Sequence, residues 1–155
     1  MLELLAAIRP DDQNFPLLLH IVGATVAFGA FLACAASLAL ARGETRLLRL
    51  GYFSLLLVGL PGFILMRLSA EWIYRKQGWD DLPAQIKQPA WLGIGFFVAD
   101  VGAILFLVAL VLGGIGVYQL RNGGGAVLLR ITMASALVLA VAYAVAVWAM
   151  TGKPN

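Results

Sequence analysis

FPLLLHIVGATVAFGAFLACAASLALAR, residues 15–42, is the stretch whose reading decides the fold. It is an apolar run opened by Pro16 and closed by Arg42. A proline suits the first helical turn, where its missing N–H would have no intrahelical partner anyway. About 20 apolar residues rising ~1.5 Å each match the ~30 Å hydrocarbon core of a bilayer, so the run is long enough to cross one. It carries the chain's single histidine, His20, and its single cysteine, Cys34. His20, Gly23, Ala27, Ala30, Cys34 and Ser37 recur at spacings of three and four residues and therefore share one helix face. The opposite face carries Leu18, Val22, Phe28 and Leu32. Small faces are where membrane helices pack closely, which turns His20 toward a bundle and away from lipid. Cys34 on that face reads as a small buried core residue.

The rest of the chain has the same character. Of its 155 residues 62% are hydrophobic and only 12% charged, with a mean hydropathy of +0.92, too little charge to cover the surface of a soluble domain. The net charge of +3 sits at the ends of the apolar runs, so the basic residues read as interface anchors and not as a nucleic-acid footprint. One cysteine excludes an internal disulfide and any thiol relay built on a CxxC pair.

Three further spans follow the first, giving 16–41, 47–68, 91–120 and 126–150, with 69–90 as a polar, aromatic interfacial loop open to partial helix. The second contains Pro61-Gly62, a break that removes a backbone hydrogen bond and is expected to kink the helix. It emerges at Arg67 and Glu71, an i,i+4 pair, followed by Trp72 and Tyr74 of the headgroup belt. Arg42–Arg46 and Arg121–Gly125 are tight turns, and the triple glycine at 123–125 is a turn because no Lys-Ser/Thr follows to open a phosphate loop. On the fourth span Thr132, Ser135, Leu139, Ala142, Ala146 and Ala149 share a face. Ahead of the first span, Leu2, Leu4, Leu5 and Ile8 suggest a turn or two of interfacial helix ended by Pro10. The whole reads as an all-α polytopic membrane protein, a single four-transmembrane-helix bundle with both termini on one side.

Arg42, Arg46, Arg49, Arg121 and Arg130 flank the two short turns, whose single acid is Glu44. The positive-inside bias is strongest for short loops. The expectation is therefore a cytoplasmic membrane crossed with the short turns inside and the termini extracytoplasmic.

An ionisable group inside a membrane is costly, which makes His20 and Asp100 the candidate functional residues. Their parallel spans place them at depths differing by only ~6 Å at ~1.5 Å rise per residue, so a His20–Asp100 hydrogen bond is expected if those helices touch. Such a pair either holds one imidazole tautomer and handles a proton, or only fixes packing at ~1 kcal/mol or less. Haem b would need axial ligands, for which His20 with Met66, or His20 from two copies of a homodimer, are the candidates. Proton-linked transport would use Asp100 and the carbonyls freed at Pro61-Gly62. No catalytic residue and no metal cluster is assigned. The main expectation is a non-enzymatic protein in a lipid bilayer that packs with itself or with a membrane-protein partner.

The run His20-Ile21-Val22-Gly23-Ala24-Thr25-Val26-Ala27-Phe28-Gly29 resembles the opening helix of a group of small bacterial integral membrane proteins of unassigned activity. That group is itself similar to the copper-resistance D family and the small membrane-embedded protoporphyrinogen oxidase. The shared pattern is a histidine, a glycine, then an aromatic followed by glycine. The oxidase resemblance implies a haem ligand at His20, although this chain has no further histidine.

Overall fold

A computed structural model describes residues 13–79, 81 and 89–152. The interfacial turn expected at residues 2–10 lies outside them. The described residues form four helices and no strand: α1 Asn14–Leu40, α2 Thr45–Lys76, α3 Ala90–Gln119 and α4 Ala126–Gly152. All four are long and apolar enough to cross a membrane, as the residue pattern requires. Two turns between them are built for reversal. The Glu44 N–H bonds the Ala41 carbonyl at 2.6 Å. Past α3, Gly123 takes the left-handed conformation (φ 72°) and the Gly124 N–H returns to the Gln119 carbonyl at 3.1 Å. The far ends of all four helices meet on one side: Gln77 donates to Gln13 at 3.5 Å, and a side chain added at Gly95 would run into Met150.

Pro61 is accommodated rather than tolerated as a bare kink. Leu55–Gly59 forms one π-helical turn just before it, in which the Leu60 N–H bonds the Leu55 carbonyl. Proline has no N–H to give, and the wider turn absorbs the misfit before the helix resumes. The helix then continues through Lys76, so the first residues of the stretch expected as an interfacial, partly helical loop at 69–90 are helical and the connection begins at Gln77. SAEWIYRK holds no Gly or Pro, and its Glu71 pairs one turn on with Arg75 at 3.1 Å. The expected Arg67–Glu71 pair is thereby replaced.

α1 packs against both α2 and α4, α3 packs on α4, and α3 meets the first half of α2. The first and third helices therefore lie diagonally across the bundle. At the α1–α2 crossing the backbones touch. A Cβ on Gly23 would lie 2.5 Å from the Met66 nitrogen, and one on Gly62 would lie 2.9 Å from the Ala27 nitrogen. The small face expected on α1 is that contact surface, with Gly23, Ala27, Ala30 and Cys34 all buried. The centre of the bundle is aromatic. Phe31 meets Phe106 edge-on at 5.2 Å and Tyr143 at 5.3 Å, while Phe63 meets Phe106 at 5.5 Å. Edge-to-face rings at this spacing are mutually favourable and leave little void.

Candidate functional site

Each helix brings one polar group to the half of the bundle nearer residues 13 and 152. Arg67 lies nine residues before the end of α2, Asp100 ten residues into α3, and Tyr143 nine residues before the end of α4. At ~1.5 Å per residue all three sit ~14 Å from their helix ends. His20, six residues into α1, reaches the residue next to Arg67. Above this layer is an aromatic belt: Phe15 on Trp72 at 6.3 Å, Tyr74 on Phe96 at 5.1 Å, Trp79 on Trp91 at 6.3 Å. Lys76 leans over the Trp72 ring at 5.9 Å. Aromatic and basic residues of this kind mark the headgroup level. Arg67 is five residues before Trp72 on α2, about 7.5 Å along the helical rise, and its guanidinium reaches Phe96 at the inner edge of the belt.

The Arg67 guanidinium donates to Asp100 Oδ1 at 2.7 Å and stands over the Phe96 ring at 5.6 Å. The opposite charges offset one another where an isolated ion would be expensive to bury, and the ring face adds a cation–π contribution. The expected His20–Asp100 pair is thus corrected. Asp100 faces a cation on α2, and His20 faces α2 as well, because α1 packs chiefly on α2 and α4 and lies diagonal to α3. His20 Nδ1 donates to the Met66 carbonyl at 3.1 Å. A carbonyl oxygen only accepts, so the proton of this bond sits on Nδ1.

His20 and Met66 are neighbours, as their shared depth implies, yet they do not frame a haem within one chain. Axial donors must stand on opposite faces of the macrocycle, whereas here α1 and α2 are in backbone contact at Gly23 and Met66, and the Met66 side chain is buried in the core. Pro61 and Gly62 play structural parts: the first sets the π turn, the second admits α1.

Two groups escaped the sequence reading. Arg67 reads as an interface residue because it stands at the end of the second apolar run. Its true partner comes from another helix. Tyr143 is 4% exposed and its hydroxyl has no hydrogen-bond partner among the described residues. Its position on the buried stripe with Leu139, one turn away, was the available signal.

The seam that carries the ion pair differs from the rest of the bundle. The outer half of α2 and the start of α3 are joined by long side chains, not by close backbones. The Asp100 side chain is 60% exposed there and that of Arg67 35%. Fold and polar layer together define a polytopic four-helix membrane bundle with an ion pair on one lateral seam. Comparison with protein-family models, curated proteins and solved structures finds no match for the chain.

Proposed function

We propose that this chain is a non-enzymatic integral membrane protein that assembles with a protein partner across the α2–α3 seam. The observation that carries this reading is the Arg67–Asp100 pair, set within two apolar spans with the carboxylate more exposed than covered. Lipid tails give an apolar side chain nothing to escape from, but they cannot solvate a carboxylate. A protein surface bearing polar groups can. Phe97, three residues from Asp100 and 67% exposed, is a suitable place for a photo-cross-linker. In native membranes it should yield a protein adduct that disappears with Arg67→Gln and Asp100→Asn. Adducts to lipid alone would overturn the reading.

The setting we infer is a bacterial cytoplasmic membrane with the Arg42–Arg46 and Arg121–Gly125 turns inside. Single cysteines placed at Gly43 and Gly123 in a Cys34→Ala background should label only after the inner face is opened.

A second reading has one observation in its favour. The Nδ1–H bond to Met66 fixes the His20 ring in the way a backbone carbonyl orients an imidazole that ligates through Nε2, and the resemblance of the opening helix points the same way. Haem b would then be held from outside the α1–α2 crossing, with a second copy supplying the other axial donor. A Soret band lost in His20→Ala would support it, and a colourless preparation from haem-replete cells would end it. Proton-linked transport through Asp100 requires the Arg67 pair to open during turnover, and Asp100→Asn should then abolish liposome flux.

A further inference from the structure

We propose that the partner is a second copy of this chain, docked about a two-fold axis at the α2–α3 seam so that Arg67 of each copy reaches the partner's Asp100. This rests on the assembly reading above and names its partner. The argument begins with valence. A guanidinium has five N–H donors in a planar fork, and an ionised carboxylate accepts at about four lone-pair sites. Among the described residues the 2.7 Å contact between Arg67 and Asp100 leaves donors and acceptors unspent on both sides.

Geometry supplies the next step. A cation and an anion side by side on one surface form a self-complementary pattern, since a two-fold axis between them sets each charge against its opposite. A foreign helix would need its own matched pair at the same depth; a second copy has it by identity. A lipid headgroup would meet the two charges from the belt side alone, whereas a second copy sets an opposite charge against each of them. The flanks suit such a contact. Ile64 and Leu68 on α2 and Phe97 and Ile104 on α3 are exposed and apolar, so covering them buries no further polar group. Four charges brought together also exchange the open side of each carboxylate for a hydrogen-bonded one, which a half-lipid environment does not offer.

The test uses the full-length chain carrying either of two tags, co-expressed and isolated from membranes. Wild-type copies should co-isolate. Arg67→Glu places two acids on the seam and Asp100→Lys two bases, so each variant alone should lose at least tenfold of its co-isolated partner. The two expressed together should recover it. Phe97→Cys in a Cys34→Ala background leaves the charges intact and should give a thiol-cross-linked dimer even if the charge variants fold poorly. Wild-type copies that never co-isolate, or a dimer indifferent to the charge swaps, would overturn the proposal. So would the absence of a cross-linked dimer. A Phe97 photo-adduct to a different protein would remove the second copy and leave the assembly reading standing, whereas adducts to lipid alone would remove both.

Discussion

Two helix contacts in this bundle are built on opposite terms. At the α1–α2 crossing, Gly23 and Gly62 bring backbone onto backbone, and nothing larger than hydrogen fits at either position. At the α2–α3 seam the backbones stand apart and Arg67, Asp100, Tyr74 and Phe96 bridge them. The first contact gains from many short-range dispersion contacts, the usual source of helix association where lipid removes the hydrophobic drive. The second relies on a few long side chains whose outer atoms remain open. A close crossing is a structural joint. An open, charged seam is where a further molecule can be bound, and the contrast separates scaffold from candidate site more sharply than any single residue does.

Substitutions can break that contrast in order of expected size. Phe106→Ala should cost the most, about 3–5 kcal/mol, because it empties the ring site that joins α3 to Phe31 and Phe63 beneath the seam. Thermal unfolding in detergent would show it, and a cost under 1 kcal/mol would mean that the seam's inner layer is not holding α3. Next, Gly23→Ala should lose about 1–3 kcal/mol by overpacking against Met66, while Gly29→Ala on the same helix, where a Cβ meets nothing within 4 Å, should lose none. Equal stability of the two variants would dissolve the distinction between crossing and seam. His20→Ala removes one interhelical hydrogen bond and should cost about 0.6 kcal/mol, the usual size for such bonds in membranes. Tyr143→Phe deletes an unpartnered hydroxyl and should leave stability unchanged or raise it by up to ~1 kcal/mol. A clear loss on that substitution would show that the hydroxyl is bonded in the membrane. Smallest of all, Arg75→Gln breaks the exposed Glu71 pair and should move stability by no more than about 0.5 kcal/mol.

Much of this was legible along the chain. The lengths of the apolar runs, the small face from Gly23 to Cys34, the buried cysteine and the disturbance at Pro61 all follow from local composition and the helical repeat. The extra turns of α2 beyond Leu68 were readable too, since SAEWIYRK lacks a breaker, but its polarity drew the boundary too early. The candidate site was half legible. Asp100 and His20 stood out because an ionisable group in an apolar run is rare, and both do sit in the polar layer. Their partners were not legible because depth is only one coordinate. It places two groups at one level without saying whether their helices are neighbours.

By itself, then, the residue order determined a membrane-spanning four-helix chain, which face of each helix is small, and roughly how deep each polar group lies. Those properties depend on runs and periods of one helix at a time. Only the tertiary structure decided that α1 and α3 are diagonal, that His20 bonds a backbone carbonyl, and that Arg67 crosses to Asp100 with its open side facing outward. The order of helices around a bundle is set by which small faces and rings interlock, here Gly23 on Gly62 and Phe31 among Phe106 and Tyr143, and that is a property of all four helices together.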